Sequence, residues 1–420
     1  MTDPRLAPTD RVVIIGAGHG GVQMAHSLRE NGLQGPIVLL DQEAGLPYHR
    51  PPLSKSVLEA SVAPEPPLLR AEAFYSSHEI TVRRDTPAVR LDRHRRLVHL
   101  ATGVPEPYDH VVLATGSRAR SLPVPGIHLG GVAQVRTLSD AVALRALLVQ
   151  PGQRVAVVGG GYIGLEVAAA ASGLGHHVTV IEGAGRLLAR SVSPEVSDCV
   201  LRFHADRGCR VELNSSVVAF TGDAGIVRAV ELASGESVPA DLVVVGVGGI
   251  ANSELAVEAG LQCCEVTHGI VVDDWLRTGD TSVSAIGDCA TFPSRFADGQ
   301  IRLESVQNAV DQARYAAARL IHGSHEPYNK VPWFWTDQAD LKVQSVGVAR
   351  REESRVVLGS ATSTEFSVLR FHHDFLVAVD SVNRPADHMA ARRILSGGRR
   401  PTPAVARRPG FELKAFLLSA

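Results

Sequence analysis

No two cysteines of this chain form a C-x-x-C pair, and its five (Cys199, Cys209, Cys263, Cys264 and Cys289) follow no regular spacing. An odd, scattered set excludes a disulfide framework and fits a reducing compartment. No four of them match a spacing that ligates an iron–sulfur cluster, so any such cluster must sit on another protein. The histidines offer no i, i+4 ligand pair; His176 beside His177 and His372 beside His373 are adjacent, and no metal site is expected. Long apolar runs are missing too. The runs 155–158 and 242–247 are strand-length, far short of the ~20 residues that a spanning helix needs. Charge of one sign is also lacking: 42 Lys and Arg stand against 44 Asp and Glu, which gives no global pull toward nucleic acid or membrane. Residues 1–10 are polar, with no basic start before an apolar core, so no secretory signal is expected. The expectation is a cytoplasmic protein with neither membrane nor nucleic acid as partner.

What is present is one motif used twice. A β-branched run, 11–15, leads into Gly16-Ala17-Gly18-His19-Gly20-Gly21, then a helical stretch to about Glu30 and a strand at 37–40. The unit recurs as a strand at 154–158, Gly159-Gly160-Gly161-Tyr162-Ile163-Gly164, an alanine-rich helix to about Leu174 and a strand at 178–181. Both are strand–glycine turn–helix–strand units of a parallel α/β sheet. The first glycine of such a turn allows the tight bend, the second lets backbone approach a pyrophosphate, and the third lets helix pack on strand. The helix N-terminus then presents free N–H groups to the phosphates.

Each copy is followed by an acid at the end of its second strand. In the second copy this is Glu182, which can accept from both ribose hydroxyls and repel a 2′-phosphate. No Arg or Lys occurs at 183–185, although Arg186 is near, so NADH is expected rather than NADPH. In the first copy the acid is Asp41, with Glu43 two residues on as the alternative. Two dinucleotide sites in one chain suggest a hydride relay between a resident and a diffusing cofactor.

Elsewhere, 110–114 reads as a strand ending in Thr115-Gly116, and 122–126, with two prolines, as a linker. Strands are expected at 241–247 and 283–288 and a helix at 305–321. From Val331 the pattern changes to short alternating strands at 345–349, 355–358, 367–371 and 376–380, a small α+β domain. Residues 391–420 carry seven Arg or Lys against one acid, Glu412, and read as a solvated, partly frayed tail. Arg83, Arg84, Arg90, Arg93, Arg95 and Arg96 read as solvated strand-edge charges.

Pro47-Tyr48-His49-Arg50-Pro51-Pro52-Leu53-Ser54-Lys55, taken alone, is a proline-stiffened turn with two cations. With the first glycine turn before it and GGGYIGLE (159–166) behind, the chain resembles the oxygenase-coupled NADH:ferredoxin reductases. LATGSR (113–118), GDCA (287–290), ESVQNA (304–309), VPWFWTDQ (331–338) and AVDSVNRPADH (378–388) carry the resemblance to the C-terminus. It implies two Rossmann-like dinucleotide-binding domains of glutathione reductase type and a small C-terminal α+β domain. Residues 1–118 and 247–329 would form a discontinuous FAD domain, 119–246 the NADH domain and 330–420 the C-terminal reductase domain.

It also implies site residues. Gly16, Gly18, Gly20 and Gly21 would wrap the pyrophosphate of tightly bound FAD, and Asp41 would hold its adenosine ribose. Arg50, Lys55 and Arg136 would reach the FAD, Ala88 would meet the adenine through its backbone, and Asp288 would hold the ribityl–phosphate region. Val306, at a helix start, would lie near flavin O2, where a helix N-terminus stabilises developing negative charge. Trp335 would lie near the flavin. Gly159, Gly161, Ile163, Gly164 and Glu182 would hold NADH. Lys55 and Glu166 would pair beside the rings, with Glu166 orienting the carboxamide. One departure from the pattern is Gln42, which replaces a frequent acid after Asp41.

The partner implied is a 2Fe-2S ferredoxin, and through it a haem monooxygenase or a Rieske-type dioxygenase. A disulfide-type flavoenzyme would need a cysteine in the helix after Gly21 or in the 47–55 loop, and neither holds one. Two readings stand beside the first. One is a rubredoxin or nitrite-system reductase; the other is an apoptosis-inducing-factor-like flavoprotein that senses NADH and acts by binding.

Overall fold

The structure, a computed structural model, describes residues 5–59, 66–324, 326–350 and 353–419. Residues 1–4 of the polar N-terminal stretch therefore lie outside the described residues. The chain divides into two compact units. The first comprises Met1–His49, Pro67–Arg118 and Ile250–Pro332, the second Arg50–Pro66, Ala119–Gly249 and Trp333–Ala420.

The first unit is built on a five-stranded parallel sheet. Its order is Val283–Ala285, His110–Leu113, Val12–Ile15, Ile37–Leu40 and Ile80–Arg83. The three central strands read HVVL, VVII and IVLL and are buried at every position. Continuous apolar runs of this kind belong to parallel sheets covered on both faces. One covering layer holds the helices His19–Glu30 and Val306–His322, which pack on each other. A three-stranded antiparallel insert, Ala88–Asp92, Leu97–Leu100 and Glu106–Pro107, adds Leu91, Val98 and Leu100 to the core on the opposite face.

The second unit repeats the plan with the order Arg210–Glu212, His177–Ile181, Arg154–Val158, Leu242–Val245 and Val132–Ala133, again all parallel. A second antiparallel insert, Val217–Asp223, Ile226–Leu232 and Ser237–Pro239, packs on it. The proline-containing stretch 122–126 is held against this insert: Phe220 N donates to the Pro125 carbonyl, and Leu122 and Val124 join its core.

The same unit carries a five-stranded antiparallel sheet ordered Trp333–Gln338, Leu341–Gly347, Phe375–Val382, Phe366–His372 and Ser354–Gly359. Its first strand holds three consecutive aromatics, Trp333, Phe334 and Trp335.

Two sequence expectations need correction. The basic C-terminal stretch is not a frayed tail but three helices, Pro385–Ser396, Pro403–Ala406 and Leu413–Leu418. Ala391, Ile394, Leu395, Ala406 and Leu413 are buried there, so a few apolar residues at helical spacing outweigh the seven cations around them. Arg83 and Arg93 are not free edge charges either. Arg83 pairs with the buried Glu106 at 2.7 Å, and Arg93 donates to the Ala259 carbonyl and pairs with Asp280.

Candidate active site

The two glycine turns have closely matching geometry. Gly16 and Gly159 have φ of +106° and +110°, and a Cβ on either would lie 2.3 or 2.4 Å from a carbonyl oxygen, that of Ala114 or of Gly246. Any side chain, alanine's methyl included, is excluded there on sterics, and the left-handed backbone adds strain. Gly21 and Gly164 seat the helix: a Cβ on Gly21 would strike Gly16 O at 1.9 Å, and one on Gly164 would strike Gly159 O at 2.1 Å. By contrast, a Cβ on Gly18 meets nothing within 4 Å and one on Gly161 meets only Gly246 O at 4.0 Å.

Each of these open glycines is the N-cap of a twelve-residue helix, His19–Glu30 or Tyr162–Gly173. Neither helix has a side-chain cap or an acid in its first turn. Such a start leaves N–H groups and the positive end of the dipole available to an anion. A pyrophosphate fits both cradles. Ile163 stands exposed on the first turn of the second helix.

The acids at the ends of the second strands also correspond. Gly16 N donates to Leu40 O and Gly159 N to Ile181 O, so Asp41 and Glu182 occupy equivalent positions just beyond. Each accepts from the N–H two residues on: Asp41 Oδ1 from Glu43 at 3.1 Å, and Glu182 Oε1 from Ala184 at 2.7 Å. Glu182 Oε2 takes a further N–H, from Gly160, at 2.6 Å. Glu43 instead receives the Tyr48 hydroxyl at 2.6 Å. Of the two acids left open by the sequence, Asp41 is the one that shares the position of Glu182.

Other first-unit residues fall at the same end of the sheet as this turn, the C-terminal end of its parallel strands. The backbone N–H of Thr86 donates to Asp41 O, which brings Ala88, at the start of its strand, close to the acid. Asp288, in a single helical turn after Val283–Ala285, accepts from Ser117 Oγ at 3.1 Å, and its carbonyl receives Arg302. Val306 opens its helix behind the N-cap Ser305, whose hydroxyl accepts from Asn308 N, with no acid in the first turn.

Arg50, Lys55, Glu166, Arg136 and Trp335 belong to the second unit. The segment 50–59 packs on the helices Leu138–Leu147 and Tyr162–Gly173, and Arg50 donates to the Arg136 carbonyl at 2.9 Å. A cavity of about 350 Å³ is lined by Pro51, Pro52, Lys55, Glu166, Trp335 and Asp337. Lys55 Nζ lies 2.8 Å from Glu166 Oε1.

Two residues that sequence reasoning passed over complete this cluster. Thr336 Oγ1 donates to Glu166 Oε1 at 2.6 Å and Ser54 Oγ to Oε2 at 2.5 Å. Both stood inside quoted motifs. The alternation of a strand, with Trp335 and Asp337 on the cavity side and Thr336 turned the other way, was the available signal.

Trp333 and Trp335 have ring centroids 5.5 Å apart, and the Arg392 guanidinium lies 4.3 Å from the Trp333 ring centre. His388 packs edge-on to Trp333, and burial, helped by Arg392, pushes its imidazole down to about 4, so it is neutral near pH 7.

Residues 10–313 match the family model for pyridine nucleotide-disulphide oxidoreductases. The chain belongs to that family. Residues 333–417 match a second model, that of the reductase C-terminal domain, which covers the antiparallel sheet and most of the terminal helices. Among curated relatives, rhodocoxin reductase of Rhodococcus erythropolis is 44% identical over 403 residues, 96% of this chain and 93% of that one. Rubredoxin-NAD(+) reductase of Pseudomonas putida is 40% identical over 374 residues, 89% of this chain and 96% of that one. The solved ferredoxin reductase for the CYP199A2 system from Rhodopseudomonas palustris superposes with a TM-score of 0.93 at 42% identity, covering 97% of this chain and all of that one. The family resemblance and the two-Rossmann fold class read from the motifs are borne out, and the chain is an oxidoreductase. Among the described residues no helix is long and apolar enough to cross a membrane.

Proposed function

We propose that the chain is an NADH:ferredoxin oxidoreductase that binds FAD tightly, oxidises NADH and delivers single electrons to a 2Fe-2S ferredoxin in the cytoplasm. The ferredoxin would supply a haem monooxygenase or a Rieske-type dioxygenase. The observation that carries this reading is the pair of matched phosphate cradles, each with an open glycine and an uncapped helix start. In this reading residues 1–118 and 247–329 serve FAD, 119–246 serve NADH and 330–420 form the reductase domain.

Bound FAD supplies the step from two-electron to one-electron chemistry, which no side chain of the cluster can perform. The chain's own residues bind and orient. Gly16, Gly18, Gly20 and Gly21 cradle the FAD pyrophosphate, Asp41 takes the adenosine ribose, and Ala88 meets the adenine. Asp288 would hold the ribityl–phosphate region, and the helix start at Val306 would offer its positive end to the ring. On the nicotinamide side, Gly159, Gly161, Ile163 and Gly164 surround the pyrophosphate and Glu182 the ribose. Glu166 accepts the carboxamide N–H and so fixes which face of the ring is presented. Lys55 balances the Glu166 charge, and Trp335 walls the cavity against water.

The test is direct. Purified protein should be yellow, bleach with NADH faster than with NADPH, and then reduce a 2Fe-2S ferredoxin over many turnovers. A colourless protein that takes up no added FAD refutes the reading. The likeness to rubredoxin-NAD(+) reductase favours one alternative, so the same assay is run with rubredoxin, and a higher kcat/KM for it reassigns the acceptor.

A further inference from the structure

Glu166 is 5% exposed, and its carboxylate is met by three donors from two separate stretches of chain. Ser54 comes from the short helix Pro51–Ser54, Lys55 from the residue that follows, and Thr336 from the strand Trp333–Gln338. Ser54 is 1% exposed and Thr336 not at all. A buried hydroxyl is costly without a partner, and for both of these the partner is the same carboxylate.

A carboxylate offers about four acceptor positions, two on each oxygen. Among the described residues, Oε1 is filled by Lys55 and Thr336, while Oε2 receives Ser54 alone. One position, on Oε2, is left over. Lys55 balances charge, but its long side chain carries large rotamer freedom and sets direction poorly. A hydroxyl one bond from Cβ sets direction well. We infer that Ser54 and Thr336 are positioning residues that hold the Glu166 carboxylate in one orientation, so that a single Oε2 lone pair is offered to the nicotinamide carboxamide.

This rests on the reading of Glu166 as the carboxamide acceptor, and the experiment separates the two. The FAD-bound protein is titrated by calorimetry with tetrahydro-NAD, which keeps the carboxamide but cannot transfer hydride, and with ADP-ribose, which lacks the ring. The variants are Ser54→Ala, Thr336→Val, Thr336→Ser and Glu166→Gln. Ser54→Ala and Thr336→Val should each weaken tetrahydro-NAD by about tenfold, the worth of one misdirected hydrogen bond, with ADP-ribose unchanged. Thr336→Ser, which restores the hydroxyl, should recover most of the loss. NADH bleaching of the flavin should slow in the same two variants and recover in the third. Parallel loss of both ligands, or no loss of either, overturns the inference. If the wild type and Glu166→Gln hold tetrahydro-NAD no better than ADP-ribose, the assignment of Glu166 itself falls and takes the inference with it.

Discussion

Replacing Glu182 with alanine tests the nicotinamide site and its preference together. In the reading above its carboxylate accepts from the ribose hydroxyls while anchored by Gly160 N and Ala184 N at 2.6 and 2.7 Å. Hydrogen bonds to a charged acceptor contribute about 1.5–3 kcal/mol each. Glu182 is only partly buried, so water replaces part of the loss, and a total of about 1.5–3 kcal/mol is expected, a ~10–150-fold rise in KM for NADH. Removing the carboxylate also relieves its repulsion of a 2′-phosphate, about 1 kcal/mol per phosphate charge at 4 Å in water before screening.

A gain for NADPH beyond this relief would need a cation, and Arg186 and Arg210 are committed elsewhere. Arg186 donates to Val192 O, Ser197 Oγ and Ala189 O at 2.9, 2.7 and 2.6 Å. Arg210, on the neighbouring strand, pairs with Glu212 and Glu236. NADPH should therefore improve by no more than about tenfold, and the two nucleotides should converge on similarly poor kcat/KM values. Steady-state rates of ferricyanide reduction with each nucleotide measure both effects. Unchanged KM for NADH would remove the assignment of Glu182. NADPH use matching that of NADH in the unaltered protein would show that Arg186 swings free of its three acceptors.

Two further outcomes follow from the first unit. Gly18→Asp places a negative side chain in the open space of the cradle, so flavin should be lost while circular dichroism and Tm of the apoprotein stay close to those of the stripped parent. Gly16→Ala, strained at φ +106° and 2.3 Å from Ala114 O, should instead lower Tm by destabilising the fold; loss of stability from the first variant and none from the second would reverse the argument. His110 concerns pH. Arg319 donates to the Ser284 hydroxyl, which lies 3.0 Å from His110 Nε2, and full burial, then Arg319, push the imidazole from 6.5 down to about 3. Since the folded value is depressed, stability is complete above 6.5 and declines as pH falls toward 3, by about 1.4 kcal/mol per pH unit. Urea unfolding at pH 7 and pH 5 should show the parent losing ~2 kcal/mol more than His110→Gln; equal losses would place the acid sensitivity elsewhere.

The glycine turns were legible because their chemistry is local. A left-handed φ, a helix seated against a strand and an acid two strands' ends away are all dictated within some thirty residues, and the pattern recurs intact at both sites. The antiparallel inserts were not legible, since Val217–Asp223 and Ala88–Asp92 alternate weakly and owe their pairing to partners rather than propensity. The terminal helices were misread for a related reason. A count of charges ignores that Ile394, Leu395 and Leu413 lie on faces that tertiary packing buries.

The sequence by itself determined that two dinucleotide-binding units of one design lie in this chain, because strand, turn and helix are each specified by neighbours. It could not determine which groups surround Glu166. Ser54 stands 112 residues before it and Thr336 170 residues after, and no local rule relates hydroxyls so distant to one carboxylate. Only the folded chain brings them within hydrogen-bond reach, because the packing of the 50–59 segment and the strand Trp333–Gln338 on one helix is a property of the whole unit.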